Sequence, residues 1–238
     1  MVKPIARWTI GNTTKDGYRC LTESIFSFLS FYDAEVIICH NCDPINLPDR
    51  VLRFRLFDQR HFASEAKYAP KGVAWKLYPP RIDKTRHEIV VDNDIVFLKP
   101  IKQIEEFFNS DCTLLLEGDS RTYGRFEKHV PPGVQINSGI YGMPPGFDLN
   151  THCDFFAGEW EKNAFGEHDK NETFDEQGLV AFALLSHKKY VIIPNTSVAN
   201  CERQLQNQSD AYHFIGLNRK TFHKSYRIYK STETKLFL

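Results

Sequence analysis

A glycine-rich dinucleotide fingerprint is missing from this chain, and so is a Walker phosphate loop, which excludes the commonest dehydrogenase and P-loop chemistries. Charge bias is missing too. Thirty basic and thirty acidic residues cancel, so no global field draws the chain to nucleic acid. No uninterrupted apolar run reaches the roughly eighteen residues that a membrane-spanning helix needs. The opening stretch MVKPIARWTIG lacks the apolar centre and small-residue cleavage site of a secretory leader. These absences point to a cytoplasmic protein, at most peripheral at the inner face of the membrane. Its six cysteines are scattered and are expected as free thiols. Cys39 and Cys42 stand close, yet they lack the second pair of a zinc site, and Asp43-Pro44 and Pro48 follow instead of the helix of a redox motif. Four Asn-x-Ser/Thr sequons carry little weight without secretion.

What is present is organised around His87 to Ile101, HEIVVDNDIVFLKPI. Ile89-Val90-Val91 is apolar without alternation, as suits a short parallel strand buried on both faces. It stops at Asp92-Asn93-Asp94. Ligands of open α/β sheets bind beyond the carboxyl ends of the strands, so these carboxylates face the expected site. Residues i and i+2 of an extended chain point the same way, about 6 to 7 Å apart. A divalent cation bridges that gap, because it sits about 2.1 Å from carboxylate oxygens. A polar turn between two apolar runs is the plainer alternative. Against it, Ile95-Val96-Phe97-Leu98 resumes at once with no turn residue.

At 238 residues and 42% hydrophobic content, the chain is long enough to bury about 70% of its unfolded surface in one α/β domain. Ala6 to Ile10 reads as a first strand, Gly11 to Lys15 as a polar loop, and Asp16 to about Phe31 as an amphipathic helix. Glu35 to Cys39 completes a βαβ unit, whose first loop commonly meets a nucleotide. Thr9, Asn12 and Tyr18 are nucleoside-contact candidates by that position. Val51 to Phe57 alternates as a third strand, and Gln59 to Tyr68 and Val73 to Tyr78 are short helical stretches. Lys76 and Arg81 stand just before the acidic strand. A lone lysine there ordinarily serves solubility, but each is placed to face phosphates.

Ile101 to Phe108 reads as a helix and Cys112 to Leu116 as a buried strand. Glu117 to Pro132 is polar with few apolar anchors, and is expected to be a mobile lid. Gln135 to Gly142 is a strand whose centre, Asn137-Ser138-Gly139, permits close approach by a ligand or marks a bulge. A helix begins near Asp148, and another spans Thr173 to Leu185, where Thr173 and Glu176 match a capping box that by itself accounts for Glu176. Tyr190 to Ile193 is a last core strand, Asn195 to Gln208 is irregular, and Ala211 to Phe214 recovers strand character. Beyond His213, Arg219, Lys220, Lys224, Arg227, Lys230 and Lys235 outnumber Glu233, a basic tail for solvent, anionic substrate or headgroups.

In this order the pieces resemble the A-type nucleotide-sugar glycosyltransferases, family 8 and its relatives above all. Four stretches carry the resemblance: the βαβ start, KLYPPRI followed by EIVVDNDIV, INSGIYG followed by FDEQGL, and HFIGLNR, which is similar to the family's His-x-x-Gly-x-x-Lys. The likeness implies an α/β fold: a single Rossmann-like domain over 1–238 with a mostly parallel central sheet flanked by helices. Residues 1–116 would form the nucleotide-sugar-binding half and 117–238 the acceptor half. It further implies that Asp92, Asp94 and His213 hold Mn²⁺ or Mg²⁺, a mixed oxygen and nitrogen set that suits manganese. Lys76, Asn93, Asn137, Ser138, Gly216 and Arg219 would meet the donor. Arg219 stands where the family has lysine, with Lys220 beside it, and Thr221-Phe222 replaces a family tryptophan. Asp175-Glu176-Gln177 stands where relatives have Asp-Gln-Asp, so Asp175 and Glu176 are the catalytic candidates, and either could act as base or nucleophile.

The implied reaction moves a sugar from a nucleoside diphosphate sugar, UDP-sugar above all, to a carbohydrate, lipid-linked or protein acceptor. Retention is implied by the resemblance alone. Two alternatives stay open. A sugar-1-phosphate nucleotidylyltransferase would share fold and carboxylates but should carry a glycine-rich, arginine-containing signature that WTIGNTTKDGYR does not supply. A non-catalytic nucleotide-sugar or carbohydrate-binding protein would bind donor without releasing nucleoside diphosphate.

Overall fold

The computed structural model describes residues 2–43, 47–63, 72–153, 175–200 and 209–214. β1 (Ile5–Ile10), α1 (Lys15–Leu29) and β2 (Glu35–His40) open the chain as the βαβ unit, with β1 parallel to β2. Thr14 caps α1 by accepting a hydrogen bond from Gly17 N–H at 3.3 Å, and Asp16 sits in the favourable first turn. Then come α2 (Asp49–Leu52), β3 (Arg55–Asp58), α3 (Gln59–Ala63), a 3-10 turn (Gly72–Leu77), β4 (Glu88–Val91) and β5 (Ile95–Phe97). α4 (Lys102–Phe108), β6 (Thr113–Glu117), a second 3-10 turn (Gly124–Lys128) and β7 (Ile136–Met143) follow. Residues 149–153 are helical (α5), and α6 (Asp175–Ser186), β8 (Tyr190–Ile193), β9 (Val198–Asn200) and β10 (Ala211–His213) complete the described chain.

Seven strands form one sheet in the order β3-β2-β1-β4-β7-β6-β8, and all neighbours are parallel except those of β7. This is the expected α/β architecture with a mostly parallel sheet. Alternation divides the strands between two layers. Trp8, Ile89, Val91 and Leu114 pack with Leu21, Ile25 and Phe28 of α1 and with Phe107 of α4. Val90, Leu115 and Tyr141 point the other way, onto Tyr123, Phe126 and the Leu179–Leu184 stretch of α6. Burial of each large side chain contributes roughly 1.5–3 kcal/mol, so both layers hold the sheet. β5, β9 and β10 form a second, three-stranded sheet, with β5 antiparallel and β9 parallel to β10.

Several boundaries differ from expectation for physical reasons. The alternation over Val51 to Phe57 is not one strand. Val51 and Leu52 N–H donate back to the Pro48 carbonyl at 2.7 and 3.1 Å, so a helical turn forms first and only Arg55–Asp58 pairs with β2. The expected lid is packed down. Tyr123 and Phe126 are buried, Arg121 donates to the carbonyls of Pro131, Glu127 and Val130 at 2.7–2.8 Å, and a Cβ at Gly178 would overlap the Tyr123 carbonyl, so α6 crosses closely there. The stretch from Asn195 contains β9, paired with β10. Among the described residues no helix is long and apolar enough to cross a membrane. Thr173, Gly216, Arg219, Lys220 and the basic tail lie outside the described residues.

Candidate metal and donor site

The chain leaves β4 at Asp92 and turns at once, with Ile95 N–H donating to the Asp92 carbonyl at 3.3 Å. The two acids therefore converge through a turn rather than along an extended strand. The plainer alternative was right about the backbone, while the side chains form a cluster all the same. Asp92 N–H donates to the Gly139 carbonyl at 2.7 Å, and the Ser24 hydroxyl donates to the Asp92 carbonyl at 3.2 Å, which fixes the turn to β7 and α1. Beyond the turn, β5 pairs with β10 so that Ile95 faces His213, and Phe214 N–H donates to the Asp94 carbonyl at 2.9 Å. A residue 119 positions later than Asp94 is thus brought beside it by the small sheet.

His213 Nε2 lies 3.3 Å from Asp94 Oδ1 and 3.6 Å from Asp92 Oδ2. The three side chains each offer one donor atom within 4.8 Å of the others. Neighbouring ligands of a six-coordinate Mg²⁺- or Mn²⁺-sized ion stand about 3 Å apart, given bonds of about 2.1 Å, so this oxygen, oxygen, nitrogen set fits a divalent cation. Gly139 makes room for the imidazole, since a Cβ there would stand 2.5 Å from His213 Cε1. Burial lowers the affinity of His213 for its proton, but hydrogen bonds to Asp92 and Asp94 and their charges outweigh it and raise its pKa to about 9. Burial would raise Asp92, yet the charge of Lys76 and the hydrogen bond to His213 bring it down to about 2.

Lys76 comes from the end of the first 3-10 turn and joins this cluster to a second acid. Its Nζ is 2.9 Å from Asp92 Oδ1 and 3.2 Å from Glu176 Oε1, and it donates to the Ser138 carbonyl and hydroxyl at 3.2 Å each. Glu176 Oε2 accepts from the Ser138 hydroxyl at 2.9 Å. The Glu176 carboxylate, a catalytic candidate by resemblance and a capping residue by local pattern, thus faces Lys76 and Ser138. Burial pushes its pKa up, against the pull of Lys76. Asn137 Oδ1 accepts from Gly139 N–H at 2.7 Å and shapes the same bend of β7.

Other expected residues fall elsewhere. Asp175 is turned to Arg125, accepting from its backbone N–H at 2.8 Å and its Nε at 2.7 Å, so this acid ties α6 to the second 3-10 turn. Arg81 does not face a phosphate site. It is buried, 3.8 Å from Glu88, and donates to the carbonyls of Pro144 and Phe147 at 2.8 Å. Thr9 lies in β1, next to β4, with its hydroxyl buried, while Asn12 is exposed on the loop beyond and Asn93 is half-buried in the acidic turn. Reading the sequence missed Gln177, whose side chain accepts from Ser138 N–H at 3.3 Å and donates to the Thr122 carbonyl at 2.7 Å. It also missed Arg7, Gln59 and Glu88, which hold the stretch carrying Lys76. The available signal was three polar residues beside or inside apolar strands.

Neither a protein-family model nor a curated protein matches this sequence. Solved structures do match. The apo form of mouse xyloside xylosyltransferase 1 superposes with a TM-score of 0.60 at 11% identity, covering 89% of this chain and 97% of that one. The apo form of the glycosyltransferase GlyE from Streptococcus pneumoniae TIGR4 gives 0.56 at 11% identity, with 94% of this chain on 60% of its own length. At that identity the likeness is one of fold, and the fold is the A-type glycosyltransferase fold.

Proposed function

We propose that the protein is a metal-dependent glycosyltransferase that moves a sugar, with retention, from a nucleoside diphosphate sugar, UDP-sugar above all, to a carbohydrate, lipid-linked or protein acceptor. One observation carries the reading. Asp92, Asp94 and His213 offer a cation-sized donor set at the carboxyl end of β4, and Lys76 links that set to a second buried acid, Glu176. The fold shared with two glycosyltransferases supports it.

In this reading Asp92, Asp94 and His213 hold Mn²⁺ or Mg²⁺. When bound, such an ion supplies positive charge for the leaving diphosphate, the kind of contact whose loss typically costs about 3–4 kcal/mol in the barrier. The chain's own residues do the rest. Lys76 adds a second positive charge on the donor side and keeps the Asp92 carboxylate oriented toward His213. Asn93, Asn137 and Ser138 line the donor beside it, with Gly216 and Arg219 assigned to the diphosphate, and Thr9 and Asn12 to the nucleoside. Glu176 is assigned to the anomeric centre. Its carboxylate, steadied by the Ser138 hydroxyl, opposes the positive charge that grows on the sugar as the bond to phosphate lengthens. The acceptor hydroxyl attacks from the face the diphosphate leaves, and its proton passes to the departing phosphate oxygen. Asp175, engaged by Arg125, serves to position α6 and is left out of the chemistry.

A panel of UDP-, GDP- and TDP-sugars, screened for slow hydrolysis with Mn²⁺, tests the proposal, because hydrolysis needs no acceptor. Release of nucleoside diphosphate from one donor, lost in Asp92→Ala, is expected. Donor binding without release under any acceptor would instead favour a binding protein, and absence of both would end the reading.

A further inference from the structure

Position 7 lies, by the alternation of β1, on the same face as Ile5, which packs with Ile37 and Cys39 of β2. Apolar volume belongs there. The chain instead places an arginine that is fully buried, which is costly unless its charge and donors are answered. The answers come from one stretch. The Arg7 guanidinium donates to the Lys76 carbonyl at 2.9 Å and the Pro79 carbonyl at 2.7 Å, and stands 3.0 Å from Glu88. Glu88 in turn accepts from Ile82 N–H at 2.9 Å, so the pair grips residues 76–82 from one side. Gln59 and Tyr141 add hydrogen bonds to the carbonyls of Trp75 and Lys76 at 2.7 and 3.4 Å. A buried ion pair in the sheet is thereby spent on the backbone of the residue that links Asp92 to Glu176.

We infer that Arg7 is a positioning residue for the donor site, acting through Lys76: its forked hydrogen bonds fix the lysine's backbone and so set where the ammonium stands. The inference rests on the donor-binding reading above. Charge balance at Glu88 does not rest on the fork alone, because Arg81 also stands 3.8 Å from that carboxylate. Arginine is suited to the task because its planar fork reaches two carbonyls and a carboxylate together, which a lysine ammonium does not reproduce.

The test is a double-mutant cycle on UDP affinity in Mn²⁺, read by calorimetry. Arg7→Lys keeps the charge beside Glu88 and loses the fork, and Arg7→Met removes both. Each is expected to weaken UDP binding about tenfold in the natural chain and less than about twofold in a Lys76→Ala background, since coupled residues are not additive. Equal losses in both backgrounds would mean a purely structural arginine and overturn the inference, as would failure of both variants to fold. If only Arg7→Met fails to fold, Arg7→Lys decides. A natural chain that takes up neither Mn²⁺ nor UDP would remove the functional reading and this inference with it. Uptake of both, with additive losses, would remove the positioning role alone.

Discussion

Two clusters of buried charge lie at opposite ends of the same strand, and they are balanced differently. At the start of β4, Glu88 is shared by Arg7 and Arg81, and their guanidinium groups donate to the carbonyls of residues 76, 79, 143, 144 and 147. Just past its end, Asp92, Asp94 and Glu176 face Lys76 and an imidazole. The first cluster has positive charge in slight excess and carbonyl dipoles to absorb it. The second has negative charge in excess, three carboxylates against Lys76, even when His213 is protonated. A structural ion pair closes on itself, whereas a binding site keeps a deficit of one sign that a ligand makes good.

That contrast is sharpened by neutralising one acid in each cluster. Glu88→Gln leaves two buried guanidinium groups without a counterion and should destabilise the fold by about 3–5 kcal/mol, measured by denaturant unfolding. Asp94→Asn removes one acid from the cluster that has too many. It should cost the metal-stripped protein less than Glu88→Gln does, since the Asp94–His213 contact is what it loses, while abolishing stabilisation by Mn²⁺, which at a hundredfold excess over Kd would be about 2.7 kcal/mol in the natural chain. Equal destabilisation by both substitutions would erase the distinction between them.

Acidity separates the clusters next. His213 titrates at about 9 in the folded chain, above its ordinary 6.5. A group whose pKa is raised on folding contributes stability below its unfolded value and loses it as pH climbs, so the metal-stripped protein should weaken between about pH 6.5 and 9. Cation uptake runs the other way. The imidazole must shed its proton to bind, so Mn²⁺ affinity should rise across that window by about tenfold per pH unit for one proton released. Mn²⁺ titrations at three pH values in the natural chain and in His213→Ala check this; equal slopes in the two would refute it.

How much of this was legible depended on how far each residue's partners lie along the chain. β4 announced itself through a run of apolar residues, and the acids at its end were visible as a pair. His213 joins them in the sequence only through the resemblance of the order of its stretches to glycosyltransferases, and the small sheet supplies the physical reason. The turn at Asp92 to Ile95 was misread because apolar residues resume at once on its far side, in a different sheet. For Glu176 the sequence offers both a local cap and, by resemblance, a catalytic role, but its contact with Ser138, 38 positions away, leaves no local sign. Arg7 was invisible for the same reason: its partners at 76, 79 and 88 are 69 or more positions distant, and one arginine in a strand gives no local sign of them. Pattern reveals elements, and long-range polar contacts stay hidden.

The smallest expected effect comes from geometry alone, with no charge changed. Gly139→Ala would place a methyl group 2.5 Å from His213 Cε1 and 2.8 Å from Asn137 Oδ1. The glycine is not in the left-handed region, so the backbone of β7 accepts alanine, and the crowding falls on the imidazole. His213 must swing away from Asp92 and Asp94, and overpacking should cost about 1–3 kcal/mol of stability. With two carboxylates still in place, Mn²⁺ affinity should fall only about tenfold, equivalent to about 1.4 kcal/mol. Because the Arg7–Glu88 pair is untouched, any loss of metal affinity beyond that of the unfolding background is assigned to the position of one ring. Calorimetry of Gly139→Ala beside His213→Ala decides it: a double variant no weaker than His213→Ala alone is expected, and an additive loss would mean that Gly139 serves the site by some route other than the histidine.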